Sequence, residues 1–392
     1  MFIFKKNFFK LYLIFIFITS IVFLYNKFLY PTDWTTSEWL INYQGGFVRR
    51  GFSGELFFQI NKIFEINIRY IVFYFNLIIL AIFYIIFFSF MKNIEINKLL
   101  VFFLYSPFFL VYPAAEPEVI ARKEFLLFII YIIYINLLLS NSNKIYIYIS
   151  TSLPIMNLIW DGIIFYLIFF FITFLFKNNL KKKELIYFFL SFIPYFISLY
   201  FVVKSSSLPE SYELICSSLG EKCWGALLVL QVDVPIKFVL NYVYENINFY
   251  ILLRYLFLFS LAFIPFLLFF YDVRRGNKLI LIKNLIFWLY CLALLIIFFF
   301  HIIANDWGRW INIGFFFSFT TMIYFIKMNY VNFESSFLYS NFNNLFITNQ
   351  KIYYFIFFIY VFTWNMKATM SDDIGSLPYY RIIVKFIKYL FV

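Results

Sequence analysis

Long apolar runs separated by short polar stretches set the pattern of the chain. About 20 consecutive apolar residues are enough for a helix to cross the hydrocarbon core of a bilayer. The pattern predicts an all-α polytopic integral membrane protein with about eleven transmembrane helices, or roughly ten to twelve. The candidate spans are the apolar part of residues 1–25 and the segments 70–91, 99–113, 124–140, 145–158, 161–176, 185–203, 249–271, 282–303, 310–326 and 352–365.

Some of these segments depart from a plain span. The first has a long apolar core and no small-residue cleavage site, so we expect a retained span and not a signal peptide. Segments 99–113 and 124–140 are short, as helices that border a cavity would be. Residues 145–176 could form one long helix that is kinked at Pro154. The amphipathic tail 381–392 could lie on the membrane surface instead of crossing it.

No sequence repeat or separate soluble domain is evident, so residues 1–392 are interpreted as a single transmembrane domain. Two longer polar segments interrupt it: a first outer loop at 31–69, predicted to hold juxtamembrane helices, and a second at 204–248. Only 13% of residues are charged and 64% are hydrophobic, which agrees with a membrane protein.

The formal charge of +12 is interpreted through topology and not as a sign of nucleic-acid binding. Basic residues concentrate at Lys5, Lys6 and Lys10, in "KNNLKKK" (177–183) and in "VRRGNK" (273–278). Counting spans puts these clusters on one side, and the positive-inside rule makes that side the cytoplasm. The N-terminus is therefore expected to be cytoplasmic.

The same count puts four unusual polar stretches together on the outer face. They are "YPTDWTTSEWLINYQGGFVRRGFSGE" (30–55), "YPAAEPEVIARKE" (112–124), "WDG" (160–162) and "ANDWGRW" (304–310). Ionisable groups at the end of a membrane span are costly unless they have a partner or a function. Carboxylates and arginines gathered at one membrane face predict an active site for acid/base work on a charged, lipid-borne substrate.

Each stretch also has a structural interpretation. Arg49 and Arg50 could clamp a phosphate with their guanidinium forks or simply anchor a helix to headgroups. Glu118 and Arg122 are four residues apart and could form a helical salt bridge. Asp161 could cap the helix that follows it.

The "DWGRW" motif carries the sharpest pattern of the four. Asp306 and Arg309 are three residues apart and can pair, and Trp307 and Trp310 fit an aromatic belt at the membrane interface.

Several other chemistries are excluded by composition. His301 is the only histidine, so a Ser-His-Asp triad is disfavoured and a multi-histidine metal site is impossible. No Walker motif is present, which argues against an ATP-driven pump.

Cys216 and Cys223 lie in one predicted outer loop and could form a disulfide in an oxidising compartment.

The motifs "GFVRRG", "ARKE" and "DWGRW", with the order of the parts, resemble the GT-C superfamily of polytopic glycosyltransferases. They also resemble O-antigen-polymerase-like proteins of bacterial surface-polysaccharide clusters. The resemblance implies a donor sugar linked to polyprenyl phosphate or diphosphate, a glycan acceptor, and an active site on the outer face of the bacterial cytoplasmic membrane. The chain departs from the superfamily in having no DxD-type pair in the first loop and no large C-terminal domain.

The resemblance also implies roles for particular residues. Asp33 matches the essential carboxylate near the start of the first outer loop, with Glu38 as its substitute. Arg49, Arg50 and Arg309, with Arg122 and Lys123, would bind the polyprenyl phosphate as it departs. Glu118, Asp161 and Asp306 would support the site. Electrostatics could serve without a metal, although such carboxylates could hold Mg²⁺ or Mn²⁺.

Two other functions fit the same parts. A polymerase of O-antigen or capsule repeat units would use a diphosphate-linked oligosaccharide as its donor. A non-enzymatic flippase or transporter of lipid-linked saccharide would place charges through the middle of the membrane.

Overall fold

The computed structural model describes residues 6–30, 34–116, 118–120, 122–177, 180–205, 209–219, 223–231, 235–271, 280–330, 349–371 and 375–391. Its α-helices, in chain order, are α1 Lys6–Leu29, α2 Trp34–Ser37, α3 Phe52–Phe64, α4 Ile68–Met91, α5 Lys98–Leu104, α6 Val111–Ala115, α7 Glu124–Leu139, α8 Lys144–Ile159, α9 Leu167–Leu175, α10 Lys182–Ser191, α11 Ile193–Lys204, α12 Pro209–Leu219, α13 Pro235–Asn246, α14 Phe249–Tyr271, α15 Ile280–Ile303, α16 Trp307–Lys327, α17 Gln350–Phe362 and α18 Pro378–Phe391.

The remaining regular structure is small. Two 3₁₀ helices cover Asp161–Tyr166 and Gly225–Gln231. Strands β1 (Trp364–Asn365) and β2 (Gly375–Ser376) pair antiparallel, with Trp364 opposite Ser376. The all-α, multi-pass architecture predicted from the sequence is therefore present in the structure.

Six helical segments of the described part are long and apolar enough to cross a membrane. They are 7–29, 68–91, 182–204, 249–271, 285–303 and 307–327. The other predicted spans correspond to shorter helices, such as α7 and α8 with 16 residues each and α17 with 13. At 1.5 Å per residue these three reach about 20–24 Å, less than the roughly 30 Å of a bilayer core. The predicted count of about eleven full spans is not confirmed.

Asparagine side chains start several of the helices. Asn67 accepts a hydrogen bond from the Arg69 amide at 2.9 Å, and Asn97 accepts one from the Leu100 amide at 2.9 Å. Asn349 does the same for the Lys351 amide at 3.1 Å. Asparagine is a preferred N-cap because its side-chain oxygen satisfies amides that have no partner inside the helix. These caps fix where α4, α5 and α17 begin.

Helix α16 is the centre of the bundle, and almost every one of its residues is buried. It packs against α7, α14 and α15, mostly through phenylalanines. Phe316, for example, stacks on Phe128 with ring centroids 3.9 Å apart. Burying an aromatic ring of this size is a large apolar contribution, so this core holds α16 firmly. The N-terminus of α16 carries the "DWGRW" motif, and the core thereby fixes its position.

The chain breaks between the candidate spans 145–158 and 161–176, and not at Pro154 as the alternative of one long helix predicts. Pro154 lies inside α8, which continues to Ile159. The helix breaks at Trp160, whose φ of −153° and ψ of 105° are extended. The ring of Trp160 is completely buried and stacks near Trp310, with centroids 5.9 Å apart. Packing of this ring therefore turns the chain and presents Asp161 at the bend.

The two ends of the bundle differ in charge. At one end Lys177 pairs with Glu184 at 3.2 Å, and Lys327 lies 4.4 Å from the centre of the Phe90 ring. The four polar stretches singled out from the sequence lie together at the other end, where most of the described ion pairs are found.

Candidate functional site

Glu38 is the centre of the charged group. It follows α2 directly, and its residue is only 2% exposed. Arg122 donates to Glu38 Oε2 at 3.1 Å, and the Arg50 Nη1 atom lies 3.5 Å from Oε1. Burial alone would raise the pKa of Glu38, but the nearby cations Arg122, Lys123, Arg309 and Arg50 outweigh it and lower the pKa to about 2. The carboxylate is therefore ionised at neutral pH.

Asp161 holds the two adjacent arginines from the opposite side. Arg50 donates from Nε to Asp161 Oδ1 at 2.6 Å, and the Arg49 Nη1 atom lies 3.8 Å from Oδ2. Trp160 occupies the N-cap position of the 3₁₀ helix, and Asp161 is the first residue of that helix and not its N-cap. Its carboxylate serves the arginines instead.

Lys123 links the backbones of the two segments that carry these charges. Its Nζ donates to the Ile159 carbonyl at 2.9 Å and to the Arg50 carbonyl at 3.3 Å. The residue is completely buried, with Nζ 5.4 Å from the centre of the Trp39 ring. Burial lowers the pKa of Lys123 to about 8. The Lys123 ammonium thus joins the backbone at Arg50 to the backbone at Ile159, just before Asp161.

Arg50 has an unusual backbone conformation. Its φ of +65° lies in the left-handed region, which is uncommon for a residue with a side chain. The hydrogen bond from Lys123 to its carbonyl and the ion pair with Asp161 both hold it there. Strain of this kind persists only when the surroundings determine it, and it is often found at functional sites.

Arg309 forms a second, deeper part of the group. Its residue is 3% exposed, and it donates from Nε to Glu124 Oε1 at 3.0 Å. Nη2 binds the same oxygen, and Nη1 donates to Asp306 Oδ2 at 2.5 Å. The predicted pairing of Asp306 with Arg309 is confirmed. Glu124 was missed as a partner, although it closes the "ARKE" motif at the start of α7.

The two tryptophans of "DWGRW" do not form an interfacial belt. Trp307 and Trp310 are each 3% exposed and lie inside the protein. Trp307 packs edge-on against Tyr255 at 5.0 Å, and Trp310 packs against Phe300 at 4.2 Å. The Arg309 guanidinium lies 5.2 Å from the centre of the Trp310 ring, so this tryptophan packs on the buried cation.

Glu118 and Arg122 are not a helical salt bridge. The described residues of this stretch, 118–120 and 122–123, lie in turns and a bend, and Arg122 donates from Nε to the backbone carbonyl of Glu118 at 3.0 Å. The Glu118 carboxylate instead pairs with Lys27 of α1 at 2.9 Å. The four-residue spacing predicted an ion pair between these two side chains, but Arg122 pairs with Glu38 and Glu118 pairs with Lys27.

A further ionic contact lies beside this group and was not predicted. Glu116 accepts hydrogen bonds from Arg381 at 2.9 Å and from Asn365 at 3.1 Å. Asn365 belongs to β1 and Arg381 to α18, so two C-terminal elements are fastened to the end of α6. The sequence signal was the acidic first half of "EPEVIARKE", which gave no indication of its distant partners.

Accessibility separates the roles of the charged residues. The group contains five cations and four carboxylates. Four of the cations, Arg49, Arg50, Arg122 and Arg309, pair with the carboxylates of Glu38, Glu124, Asp161 and Asp306. The fifth cation, Lys123, binds backbone carbonyls. The side chains of Arg49 and Arg50 are 35% and 30% exposed, whereas that of Arg309 is 3% exposed. An anionic ligand would therefore meet the positive charge of this group at Arg49 and Arg50. Asp33, the predicted catalytic carboxylate, lies outside the described residues.

The described residues contain no group of three or more His, Cys, Asp or Glu side chains arranged to hold a metal ion. Asp306, Asp161 and Glu118 each bind a cationic side chain. The carboxylates suggested from the sequence as Mg²⁺ or Mn²⁺ ligands therefore serve as partners of arginine and lysine in this structure.

The second polar segment covers the start of the first. A disulfide joins Cys216 of α12 to Cys223. Ser211 of α12 donates to the Gly45 carbonyl at 2.7 Å, and the Ala226 amide donates to Ser37 Oγ at 2.9 Å. These contacts fall on both sides of Glu38 in the sequence. The bridged segment thus braces the loop that carries Glu38.

Comparison of the chain with protein-family models, with curated proteins and with solved structures finds no match. The chemistry proposed for the site therefore rests on the contacts and charges of this chain.

Proposed function

We propose that the chain is a membrane glycosyltransferase that takes its sugar from a polyprenyl-phosphate- or diphosphate-linked donor during surface-polysaccharide assembly. The reaction is placed at the outer face of the bacterial cytoplasmic membrane, in agreement with the basic loops of the sequence. The observation that carries the proposal is the pair Arg49 and Arg50. They are adjacent, partly exposed and anchored by Asp161 at one end of a helical membrane bundle.

Phosphate is the ligand that best fits this pair. A guanidinium is planar and can give two parallel hydrogen bonds to phosphate oxygens. Arg50 already uses Nε for Asp161 at 2.6 Å, whereas the closest contact of Arg49 to that carboxylate is 3.8 Å. Arg49 is therefore the residue with donors to spare for a substrate. The charge that grows on a departing polyprenyl phosphate would be stabilised there.

The roles of the two candidate catalytic carboxylates differ. A group with a pKa of about 2 is a weak base at neutral pH, and both oxygens of Glu38 face arginines. We assign Glu38 the role of holding Arg50 and Arg122 in position. Asp33 remains the proposed general base, which would take the proton from the acceptor hydroxyl as it attacks the anomeric carbon.

An apolar cavity supports a lipid-borne substrate. It has a volume of about 400 Å³ and lies between α14 and α17, where it is lined by Phe257, Leu258, Leu261, Ile356, Ile359, Tyr360 and Trp364. Trp364 immediately precedes Asn365, which binds Glu116. A hydrocarbon chain in this cavity would therefore lie next to the charged end of the bundle.

Analysis of lipid-linked saccharides in a deletion strain tests the proposal against its alternatives. Loss of a transferase should leave a lipid-linked precursor that mass spectrometry finds to be short of the transferred sugar. Loss of a polymerase would leave a complete single repeat unit, and loss of a flippase would leave that complete unit on the cytoplasmic side. Either of the last two results would overturn the transferase, as would an unchanged saccharide pool.

A further inference from the structure

The first turn of α3 has free hydrogen-bond donors. Its N-cap is Gly51, which has no side chain to cap the helix. Among the described residues no partner is found for the amides of Phe52, Ser53 and Gly54, and the first bonded amide is that of Glu55, which donates to the Gly51 carbonyl at 2.9 Å. Such amides, together with the helix dipole, form a ready-made site for an anion.

The residues before this turn shape it further. The backbone of Arg50 is in the left-handed region at φ +65°, and that of Gly51 is in the right-handed helical region at φ −81° and ψ −14°. Successive residues of opposite hand direct their amides to one concave side, an arrangement that binds anions. The partly exposed guanidinium of Arg49 lies one residue upstream.

An unpartnered buried hydroxyl is the independent observation that points to a ligand. Ser53 is 2% exposed, and its Oγ has no hydrogen-bond partner in the described structure. Side chains on a helix tilt toward its N-terminus, which is the end where the free amides lie. A buried polar group without a partner is costly, and a bound oxyanion would remove that cost.

A second unpartnered donor lies in the segment packed across the same turn. Gly54 has no room for a side chain, because a Cβ there would meet the Ile41 carbonyl. The next residue, Asn42, is completely buried, and its Nδ2 has no partner among the described residues. The nearby carboxylate of Glu55 is already engaged by the Tyr43 amide at 3.0 Å and by Gln59 at 2.7 Å.

We propose that the N-terminus of α3 is a phosphate-binding subsite. The amides of Phe52, Ser53 and Gly54 and the Ser53 hydroxyl would bind the phosphate oxygens, and Arg49 would supply the positive charge. The same chemistry fits the headgroup of a phospholipid-like substrate and a free phosphate. The inference deepens the proposed function, since the phosphate clamped by Arg49 would also be held by the helix.

The test uses the full-length protein in detergent with two probes. Binding of inorganic pyrophosphate is measured by calorimetry. Native mass spectrometry compares retention of phosphatidic acid with that of diacylglycerol with the same acyl chains, which lacks only the phosphate. The variants are Ser53→Ala, Ser53→Thr, which keeps the hydroxyl, and Ser150→Ala, a control at a partly exposed position of α8.

We expect Ser53→Ala to weaken pyrophosphate binding roughly tenfold, as the loss of one hydrogen bond to a charged group would, while the other two variants stay close to wild type. If the natural ligand is a lipid headgroup, the protein should retain phosphatidic acid better than diacylglycerol, and Ser53→Ala should remove this preference. If the natural ligand is a free phosphate, the protein should bind pyrophosphate and retain phosphatidic acid no better than diacylglycerol. The subsite is wrong if wild type binds neither probe, or if Ser53→Ala binds both as wild type does.

Failure of the subsite is distinguishable from failure of the proposed function. If Arg49→Lys weakens binding and Ser53→Ala does not, the arginine clamp stands and the helix subsite falls. If Ser53→Ala weakens binding but the deletion strain shows no missing sugar transfer, the subsite stands and the transferase falls.

Discussion

Arg122 donates a hydrogen bond to the Glu38 carboxylate at 3.1 Å, although 84 residues separate them in the chain. Both residues are buried, Glu38 at 2% and Arg122 at 8% exposed. The ion pair therefore fastens the loop after α1 to the turn before α7, away from solvent.

Glu38→Gln should lower the free energy of unfolding by about 3–5 kcal/mol, because it leaves the guanidinium of Arg122 buried without its anion. Unfolding in mixed detergent micelles, followed by tryptophan fluorescence, measures this change. Glu55→Gln is the control, since it alters a more exposed carboxylate of the same loop and should change stability by no more than about 1 kcal/mol. Equal effects of the two substitutions would contradict the role assigned to Glu38.

Because of Lys123, the stability of the protein should change with pH in the alkaline range. Its folded pKa of about 8 lies below the ordinary value of 10.5, so the unfolded chain holds the proton more tightly between these values. Stability contributed through this group therefore rises as pH increases from about 8 to about 10.5, by at most about 1.4 kcal/mol per pH unit. Over that range wild type should gain stability relative to Lys123→Met, measured by unfolding in parallel. A constant difference would show that the ammonium is not destabilised by burial.

Arginine-to-lysine substitutions should separate binding from packing. Arg49→Lys keeps the charge but loses the planar fork, so we expect at least about a tenfold loss of sugar transfer with an unchanged melting temperature. Arg309→Lys removes bonds to both Glu124 and Asp306 in a buried site, so it should lower the melting temperature.

Asp33→Asn should reduce transfer by roughly 10²–10⁴-fold if Asp33 is the general base. Normal glycan in Arg49→Lys and Asp33→Asn together would exclude the proposed site.

The disulfide between Cys216 and Cys223 should be found by mass spectrometry of unreduced protein. Closing so short a loop contributes about 2 kcal/mol, which the double substitution to serine should remove. Because α12 also contacts Gly45 through Ser211, we expect sugar transfer to fall along with stability. Two free thiols in protein isolated without reductant would refute the bridge.

Labelling with an impermeant maleimide tests the orientation. In a Cys291→Ala background, cysteines at the exposed positions Gln44 and Glu118 should react in intact cells. Cysteines at the exposed positions Asn93 and Asn143, at the other end of the bundle, should react only after the membrane is opened. The reverse pattern would put the charged site in the cytoplasm and exclude a reaction at the outer face.

The sequence was enough to predict that the four polar stretches share one end of the bundle. Each stretch lies at the end of an apolar run, although the count of about eleven spans used to place them is not confirmed. The pairing of Asp306 with Arg309 was also predictable, because the two residues are three apart at the N-terminus of α16.

The partners across the fold could not be predicted in the same way. Glu124 reaches Arg309 over 185 residues and Glu116 reaches Arg381 over 265, and no local spacing encodes such contacts. The break at Trp160, by contrast, matches the candidate spans 145–158 and 161–176, and burial of its ring decides against a kink at Pro154.

Helix α17 has a consequence for the surrounding lipids. Its 13 residues extend about 20 Å, and Phe355 and Phe358 on its outer side are 66% and 57% exposed. Hydrophobic mismatch of this size is relieved by local thinning of the bilayer. If α17 crosses the bilayer, headgroups beside it would thereby be drawn down toward β1, which follows it. Membrane thickness, set by acyl-chain length, then becomes a variable that controls how easily a lipid headgroup reaches the charged end of the protein.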